Sequence, residues 1–416
     1  MRLLAAMHDP WMALCFAHAL GAELEGVLTY GDTRWESRFE ALSLRAVLVP
    51  PCPEATTLGL LRDARGAAFI TEKPSRLISF KPSRRLEERA AALGAELALA
   101  PASIAQRLEN KLALLELASE ASILPAPGPA DPVGLPPQAK ITVTADLGLA
   151  ELRAAVEAGQ SEVVVQSPRG FMGRKTWSVV DETSWHSVRS ELIGRPAKVA
   201  RFISGRPGTI NVVVDASGTV LCSSPIVQVT GDARLTPYRL GSCGNDFTWR
   251  PAPHPQSGPY ELARRLGPAL AGRGYRGHFG IDFVVERLSD KTSRTWLIEI
   301  NPRLTASMAL YSAWRPVLIR AHLAVLDGSD LRCTGELPAM EGGQLIQHNL
   351  GGVESTPLSA HEAGLPLGGA FLPDGTADGQ DSCVWPTVTT AVAPGATRGR
   401  LVRKGAVVSN DGALLL

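Results

Sequence analysis

The chain has 416 residues, of which 45% are hydrophobic and 20% are charged, and its formal net charge is +1. This length exceeds one small core, so two or three domains are expected, and the composition is that of globular rather than disordered proteins. The near-zero net charge provides no field that would select nucleic acid or an acidic membrane, and no uninterrupted apolar stretch is long enough to span a bilayer.

The N-terminal stretch from Met1 to Leu20 is apolar but is interrupted by His8, Asp9 and Pro10. A secretory signal would need an unbroken apolar segment, so we interpret this stretch as the first strand and helix of a folded domain. Six cysteines form no C-x-x-C pair and no zinc-site spacing, which favours reduced thiols in a cytoplasmic protein. They are Cys15, Cys52, Cys222, Cys243, Cys333 and Cys383.

Residues 1 to about 105 alternate short apolar runs with Ala-rich helical stretches, which predicts a small α/β layer domain. The runs 46–49 and 67–70 are predicted as buried strands. A helix is predicted over 84–93, with Ser83 as its N-cap and an end near Gly94. The glycine fingerprint of a phosphate-binding strand–helix turn is absent, so this domain is not predicted to hold a nucleotide.

A long amphipathic helix is predicted over 103–119, where Ile104, Leu108, Leu112 and Leu115 recur at helical spacing and Lys111 lies within it. A Pro- and Gly-rich segment follows, up to Pro137.

A helix over 147–158 and a strand over 162–166 lead into a Gly-rich basic turn, 167–176, and a further strand over 177–180. A glycine hairpin can fold over phosphates, because its backbone N–H groups are not obstructed by a Cβ atom. Gly170, Gly173, Arg174 and Lys175 are therefore candidate phosphate-binding residues.

Further strands are predicted over 198–203, 209–214 and 225–229. Residues 230–247 are predicted as one long loop, which is typical of a functional lid or a disordered segment. A helix is predicted over 260–270.

Two strands with carboxylates carry the strongest signal. The phrase Gly-Ile-Asp-Phe (280–283) begins one, and Trp-Leu-Ile-Glu-Ile-Asn-Pro-Arg (296–303) contains the other, with a polar turn between them. Glu299 and Asn301 are two residues apart and project from one side of a strand. With Asp282 they offer two carboxylates and an amide oxygen, which suits Mg²⁺ completed by phosphates and water.

After these strands a helix is predicted over 308–326, with Thr305-Ala306-Ser307 able to cap its N-terminus. Beyond about residue 334, Gly, Pro, Thr and Val dominate in short alternations, which predicts a small β-rich C-terminal unit.

These phrases resemble the ATP-grasp superfamily, and the resemblance covers roughly residues 103–330. It implies an α/β (α+β) ATP-grasp fold with an N-terminal α/β pre-ATP-grasp domain. The domains expected are 1–105, an ATP-grasp domain at 106–334 with its flexible glycine-loop subdomain at about 162–200, and a small β-rich region at 335–416.

The resemblance also implies residue roles. Asp282, Glu299 and Asn301 would hold one or two Mg²⁺ ions, for which Mn²⁺ could substitute. Lys111 and Arg303 would be catalytic, with Lys111 on an ATP phosphate and Arg303 on the substrate carboxylate or acyl phosphate. The backbone of the strand that contains Val199, Arg201 and Phe202 would pair with adenine.

One departure concerns Gln166. The superfamily usually has a lysine at the end of this strand, whereas the sequence here is Val-Val-Gln-Ser-Pro. Gln166 could still hydrogen-bond the base, and Arg174 or Lys175 could supply charge. This trait, together with the extra N-terminal domain, loosely resembles the pheganomycin-type peptide ligases.

The implied function is a carboxylate–amine ligase that uses ATP and Mg²⁺ and forms an amide or peptide bond through an acyl phosphate. Its partners would be a small-molecule carboxylate and an amine, with neither nucleic acid nor membrane, and a homodimer is the commonest assembly. Two alternatives stay open: an ATP-grasp carboxylase or kinase, and a catalytically silent nucleotide-binding module.

Overall fold

The structure is a computed structural model that describes residues 1–31, 33–50, 56–125, 127–128, 130–170, 175–231, 236, 238–247, 257–289, 292–338, 343–349 and 396–403. Gly173 and Arg174 of the predicted glycine loop lie outside these ranges.

The N-terminal part is a parallel sheet wrapped by helices. Its elements are β1 (Arg2–Met7), α1 (Pro10–Leu20), β2 (Gly26–Tyr30), α2 (Thr33–Glu40), β3 (Ala46–Val49), α3 (Thr57–Arg62), α4 (Ala64–Thr71), β4 (Ser75–Ile78), α5 (Arg84–Ala92) and β5 (Ala95–Leu97). The strand order is β3-β2-β1-β4-β5, and every pair is parallel. From β1 the chain adds strands on one side of the sheet (β2 and β3) and then on the other side (β4 and β5). A crevice is therefore expected at the carboxyl ends of β1 and β4, where the order of the strands reverses.

The local predictions for this part hold except one. The helix over 84–93 is α5, where the Ser83 hydroxyl accepts from the Leu86 N–H at 3.2 Å and Gly94 ends the helix at φ +70°. The strand predicted over 67–70 was wrong, because these residues lie inside α4, which Asp63 caps through the Arg65 N–H. A short apolar run has the same pattern in a buried helix as in a buried strand.

The second sheet has four antiparallel strands. Its region contains α6 (Ala102–Leu108), a 3₁₀ turn (Lys111–Ala113), α7 (Leu114–Glu120), β6 (Val133–Gly134), β7 (Gln138–Thr142), α8 (Leu149–Ala155), β8 (Val163–Gln166), β9 (Thr176–Val179), α9 (Glu182–Leu192) and β10 (Pro196–Arg201). The order is β7-β10-β8-β9. Val165 and Val199 face a core shared with α8 and α9, and the opposite face of this sheet is left for the site.

The third and largest sheet contains the two strands that carry Asp282 and Glu299. Its elements are β11 (Arg206–Val214), β12 (Val220–Cys222), β13 (Ile226–Thr230), β14 (Ser242–Asp246), α10 (Ser257–Gly272), β15 (Gly277–Arg287), β16 (Ser293–Asn301), α11 (Ala306–Trp314), α12 (Val317–Leu326), β17 (Gly335–Glu336), β18 (Gly343–Asn349) and β19 (Ala396–Arg403). The order is β19-β18-β14-β13-β11-β15-β16-β6, with β12 beside β11 and β17 beside β12. One core joins this sheet to α7 and α10, and another joins it to α1, α11 and α12.

Two predictions are corrected in this sheet. The long loop over 230–247 contains β14, and the helix over 308–326 is two helices, because Pro316 has no backbone N–H to donate within a continuing helix. The described part of the C-terminal region consists of strands, and β18 and β19 extend the edge of the large sheet beyond β14. No helix within the described ranges is long and apolar enough to cross a membrane.

A buried histidine joins three parts of the chain. His322 of α12 is 1% exposed; its Nδ1 accepts the His278 N–H at 2.9 Å and its Nε2 donates to the Ala98 carbonyl at 3.0 Å. Burial lowers the pKa of His322 to about 4, so the ring is neutral in the folded protein.

We predict that acid weakens the fold through His322. Because the unfolded chain takes up this proton near pH 6.5 and the folded one only near 4, the free energy of unfolding falls as pH drops through this window. The expected slope is about 1.4 kcal/mol per pH unit. Urea unfolding at about pH 7, 6 and 5 should show a shallower slope in His322→Gln than in the exposed control His186→Gln. Equal slopes in the two variants would contradict the prediction.

Candidate active site

The β15–β16 hairpin places three polar side chains on one face of the large sheet. Asp282 lies directly opposite Glu299, and Asn301 pairs with Gly280 two residues further along. Asp282 pairs with Glu299 and Phe283 with Leu297, so Ile298 is the extra residue of a β-bulge. Bulges are common beside active sites, where they change the direction of side chains.

Neighbouring side chains hold Asp282 by hydrogen bonds, and among the described residues no lysine or arginine forms an ion pair with it. Its two oxygens accept from Gln228 Nε2 at 2.8 Å and from Asn301 Nδ2 at 2.9 Å. Burial, together with the neighbouring Glu299 carboxylate, raises the pKa of Asp282 to about 6, although hydrogen bonds from Thr209 and Asn301 oppose this shift. A carboxylate with a raised pKa beside a second carboxylate is a position where a cation would bind favourably.

This donor set fits a hard divalent ion. Asp282, Glu299 and Asn301 offer two carboxylates and an amide oxygen, and Mg²⁺ takes few protein oxygens when phosphates and water complete its octahedron. Among the described residues no group of three or more His, Cys, Asp or Glu side chains is placed to hold a metal. With three donor groups from the chain, a bound Mg²⁺ would complete its octahedron with phosphate and water oxygens.

Lys111 reaches this face because the helix predicted over 103–119 is broken. α6 ends at Leu108, and the Asn110 side chain caps a 3₁₀ turn by accepting the Leu112 N–H at 3.1 Å. The Lys111 N–H leaves the helix and donates to the Pro168 carbonyl at 3.1 Å. As a result the Lys111 side chain, 4% exposed, forms an ion pair with Glu299 rather than lying on a solvated helix face.

Lys198 is a second buried lysine, and sequence reasoning missed it. It lies on β10 and is 5% exposed, and its ammonium donates to the carbonyl of the bulged Ile298 at 3.1 Å. Burial lowers the pKa of Lys198 to about 7; Lys111 lowers it further and Glu299 opposes the shift. A lysine between Ala197 and Val199, within the apolar run of a predicted strand, was the available signal.

Gln166 and the described part of the glycine loop lie beside Lys198. Gln166 pairs directly with Lys198 across β8 and β10, and its Nε2 donates to Thr176 Oγ1 at 3.3 Å. Gly170 is half-buried, and Lys175 is exposed with φ +60°, its carbonyl accepting the Ser167 N–H at 3.0 Å. The described residues thus form the base of the glycine loop between β8 and β9, while Gly173 and Arg174 lie outside the described residues.

The strand expected to pair with adenine has few free donors. Val199 is hydrogen-bonded within the sheet between β7 and β8, and its side chain faces the core. The N–H groups of Arg201 and Phe202 donate to the carbonyls of Pro137 and Glu162. A base bound at this edge would therefore contact the side chains and carbonyls of Arg201 and Phe202, or the backbone after Phe202. It would find no free N–H group at Val199, Arg201 or Phe202.

Arg303 links the β15–β16 hairpin to the N-terminal sheet. Its guanidinium donates to Asn301 Oδ1 at 2.9 Å, contacts Glu109 Oε1 at 3.4 Å, and lies 4.7 Å above the Phe80 ring. Phe80 follows β4 at the expected crevice of the parallel sheet, and the next residue, Lys81, pairs with Glu109 at 2.6 Å. An arginine fork bounded by an aromatic ring suits a planar carboxylate.

His278 serves to position this turn. It is 1% exposed, and its Nδ1 donates to the Arg303 carbonyl at 2.8 Å. Burial lowers the pKa of His278 to about 3, so the ring is neutral and is not a proton donor at neutral pH.

Comparison with known sequences gives one family. Residues 148–307 match the model of a family described as an ATP-grasp domain. No curated protein sequence matches the chain.

Comparison with solved structures gives the same fold over nearly the whole chain. A biotin carboxylase from Campylobacter jejuni, in a β-γ-ATP complex, matches with TM-score 0.62 and 13% identity, covering 97% of this chain and 87% of that one. An N5-carboxyaminoimidazole synthase from Aspergillus clavatus, with ADP and 5-aminoimidazole ribonucleotide, matches with TM-score 0.60 and 14% identity, covering 97% and 94%. A phosphoribosylamine–glycine ligase from Thermotoga maritima matches with TM-score 0.59 and 12% identity, covering 97% and 93%.

We predict strong coupling between Lys111 and Glu299. Removing one member of a buried ion pair strands the other charge, so a double-mutant cycle with Lys111→Met and Glu299→Gln should give a coupling free energy of about 1–3 kcal/mol. Urea unfolding of the four proteins measures it. The exposed pair Arg84–Glu88, at 86% and 60% side-chain exposure, is the control, and its coupling should stay below about 0.5 kcal/mol. Similar coupling in both cycles would contradict the buried pairing.

Proposed function

We propose that this chain, whose residues 148–307 match an ATP-grasp domain, is an ATP- and Mg²⁺-dependent ligase of the ATP-grasp superfamily that joins a carboxylate to an amine. The observation that carries the proposal is the convergence of Asp282, Glu299 and Asn301 with Lys111 and Arg303 at one end of the β15–β16 hairpin. Two carboxylates, an ammonium and a guanidinium in one buried place suit a metal-bound polyphosphate beside an acid.

The reaction proceeds in two balanced steps. A carboxylate oxygen of the acid attacks the γ-phosphorus of ATP, and the bond from that phosphorus to the ADP oxygen breaks. The amine nitrogen then attacks the acyl carbon, phosphate leaves, and the amine loses a proton to water. Phosphoryl transfer depends mainly on positioning and charge neutralisation, so ionic side chains can supply most of what it requires.

Each side chain has a role in this scheme. Asp282, Glu299 and Asn301 would hold the Mg²⁺, which would supply positive charge against the phosphates. Lys111 binds a phosphate, and this role requires its ammonium to be shared between Glu299 and the ligand. Arg303 binds the carboxylate of the acid, and Phe80 limits the position of the guanidinium.

The similar structures support different acceptors. The name of the Thermotoga maritima protein describes a ligase that acts on an amine and glycine, which favours amide formation. The biotin carboxylase and the N5-carboxyaminoimidazole synthase favour the alternative, a carboxylating enzyme that uses the same fold. Bicarbonate is therefore one arm of the experiment below.

The domain division follows from the same proposal. Residues 1–105 would form the pre-ATP-grasp domain that bounds the acid, and 106–334 the ATP-grasp domain, with the sheet at about 162–200 covering the nucleotide. Residues 335–416 would extend the large sheet. A homodimer in the cytoplasm is the arrangement we expect.

We predict phosphate release from Mg–ATP only when both an acid and an amine are present. Wild type is assayed against a matrix of amino acids, small peptides and bicarbonate, and Glu299→Gln should lower the rate by at least about 100-fold, as expected for the loss of one transition-state contact. Asp282→Asn is the second site variant. Glu88→Gln, an exposed carboxylate far from the site, is the control and should keep the wild-type rate.

The other outcomes are distinct. Release with bicarbonate in place of an organic acid would favour the carboxylase, and release with an acid alone would favour a kinase. Calorimetric binding of Mg–ADP with no release from any pair would favour a silent nucleotide-binding module. A site variant as active as wild type would overturn the assigned metal site.

We predict that Arg303→Lys separates acid binding from nucleotide binding. Lysine keeps the charge but loses the planar fork, so kcat/KM for the acid should fall by about 100-fold, equivalent to about 3 kcal/mol. Mg–ADP affinity, measured by calorimetry, should change less than about twofold, since the guanidinium is placed on the acid and not on the phosphates. Equal losses in both measurements would instead place Arg303 on the nucleotide.

A further inference from the structure

Four polar side chains form one row across the four-stranded sheet. The strand register places Lys140, Lys198, Gln166 and Thr176 side by side on β7, β10, β8 and β9. Directly opposed residues in antiparallel strands project from the same face. The neighbouring row, which includes Val165 and Val199, faces the hydrophobic core of this sheet, so the polar row faces the large sheet, where Lys198 reaches Ile298.

Lys198 is the member of this row that is both ionisable and buried. Lys140 is exposed, whereas Lys198 is 5% exposed. An ammonium carries three N–H donors. Within the described residues the Lys198 ammonium has one acceptor, the Ile298 carbonyl, and no carboxylate. A buried charge with most of its donors unused is costly unless an anion joins it.

The nearby carboxylates do not supply an anion to the Lys198 ammonium. Glu299 is already paired with Lys111, and Lys198 has no hydrogen bond to it among the described residues. The second carboxylate, Asp282, lies opposite Glu299 on β15 and accepts from Gln228 and Asn301. The site therefore has excess positive charge beside β10 and excess negative charge at Asp282. A polyphosphate carrying a divalent cation has the complementary arrangement, with phosphates at the lysines and the metal at the carboxylates.

We propose that Lys198 binds the phosphate chain of the nucleotide and, from the neighbouring strand, supplies the positive charge that Gln166 does not provide. This proposal rests on the proposed function, because it requires a nucleotide between the two sheets. The bulge at Ile298 contributes to it, since the freed carbonyl holds the ammonium in place while two donors remain for phosphate oxygens. Lys198 is thereby a phosphate-binding residue, and Gln166 is its neutral neighbour.

The experiment is calorimetric titration of the full chain with Mg–ADP and, separately, with adenosine. Lys198→Met keeps the length and apolar stem of the side chain and removes the charge. It should weaken Mg–ADP binding by about 10- to 100-fold, the range expected for a charge-assisted contact, and leave adenosine binding unchanged. Lys140→Met removes the exposed charge of the same row and should change Mg–ADP affinity by less than about twofold.

A charge-swap variant provides the rescue. In the double variant Gln166→Lys, Lys198→Met the ammonium returns to the same row, one strand away. It should recover at least part of the lost Mg–ADP affinity. A structural role for Lys198 would instead lower adenosine and Mg–ADP binding together and would not be rescued. Urea unfolding of each variant shows that the proteins compared are folded.

The outcomes separate the two proposals. If wild type binds neither Mg–ADP nor adenosine, the proposed function fails and Lys198 has no phosphate to bind. If wild type binds Mg–ADP and Lys198→Met binds it equally well, the nucleotide site stands and the role of Lys198 is overturned. Equal losses in Lys140→Met and Lys198→Met would also overturn it, because a general effect of charge would then explain both.

Discussion

The burial of opposite charges between two sheets is the constraint on which the rest of the site depends. Lys111 and Lys198 leave water only because Glu299 and the Ile298 carbonyl meet them, and both partners lie on one strand. A lone buried charge costs several kcal/mol, so each of these groups makes the others tolerable. The sheets are thus joined by ionic and polar contacts where they face each other, while their apolar faces pack against helices.

Two local irregularities follow from this constraint. In a continuous helix over 103–119, Lys111 would project at the regular helical spacing. Instead the chain turns at the Asn110 cap, and this turn directs the Lys111 ammonium toward Glu299. A regular β15–β16 ladder would use the Ile298 carbonyl in strand pairing, whereas the bulge leaves it for Lys198. In both places the regular backbone hydrogen bonding is interrupted, and a charged side chain is held at the interruption.

The sequence predicted the fold class because its evidence is local. Alternating apolar residues on either side of a polar turn predict the hairpin with Asp282 and Glu299. The alternation of strands and helices in the first hundred residues predicts a layered α/β sheet. Lys198 was not found, because its significance depends on the register that sets β10 beside β8 and on a bulge a hundred residues later. Likewise the contact between Phe80 and Arg303 joins residues far apart in the chain, and no periodic pattern in the sequence indicates such a contact.

The position of Arg303 explains why the parallel N-terminal sheet belongs to the site although it lacks a phosphate-binding loop. The crevice at the carboxyl ends of β1 and β4 is where such sheets bind ligands, and Phe80 and Lys81 leave β4 at that edge. Lys81 neutralises Glu109, which in turn contacts the Arg303 guanidinium, so the orientation of the arginine depends on both parts of the chain. An acid held by Arg303 would therefore be bounded on one side by the β15–β16 hairpin and on the other by the parallel sheet. Because the N-terminal sheet would supply this second wall, variation at its loop ends would change which acid fits without altering the buried charges of Lys111, Lys198 and Glu299.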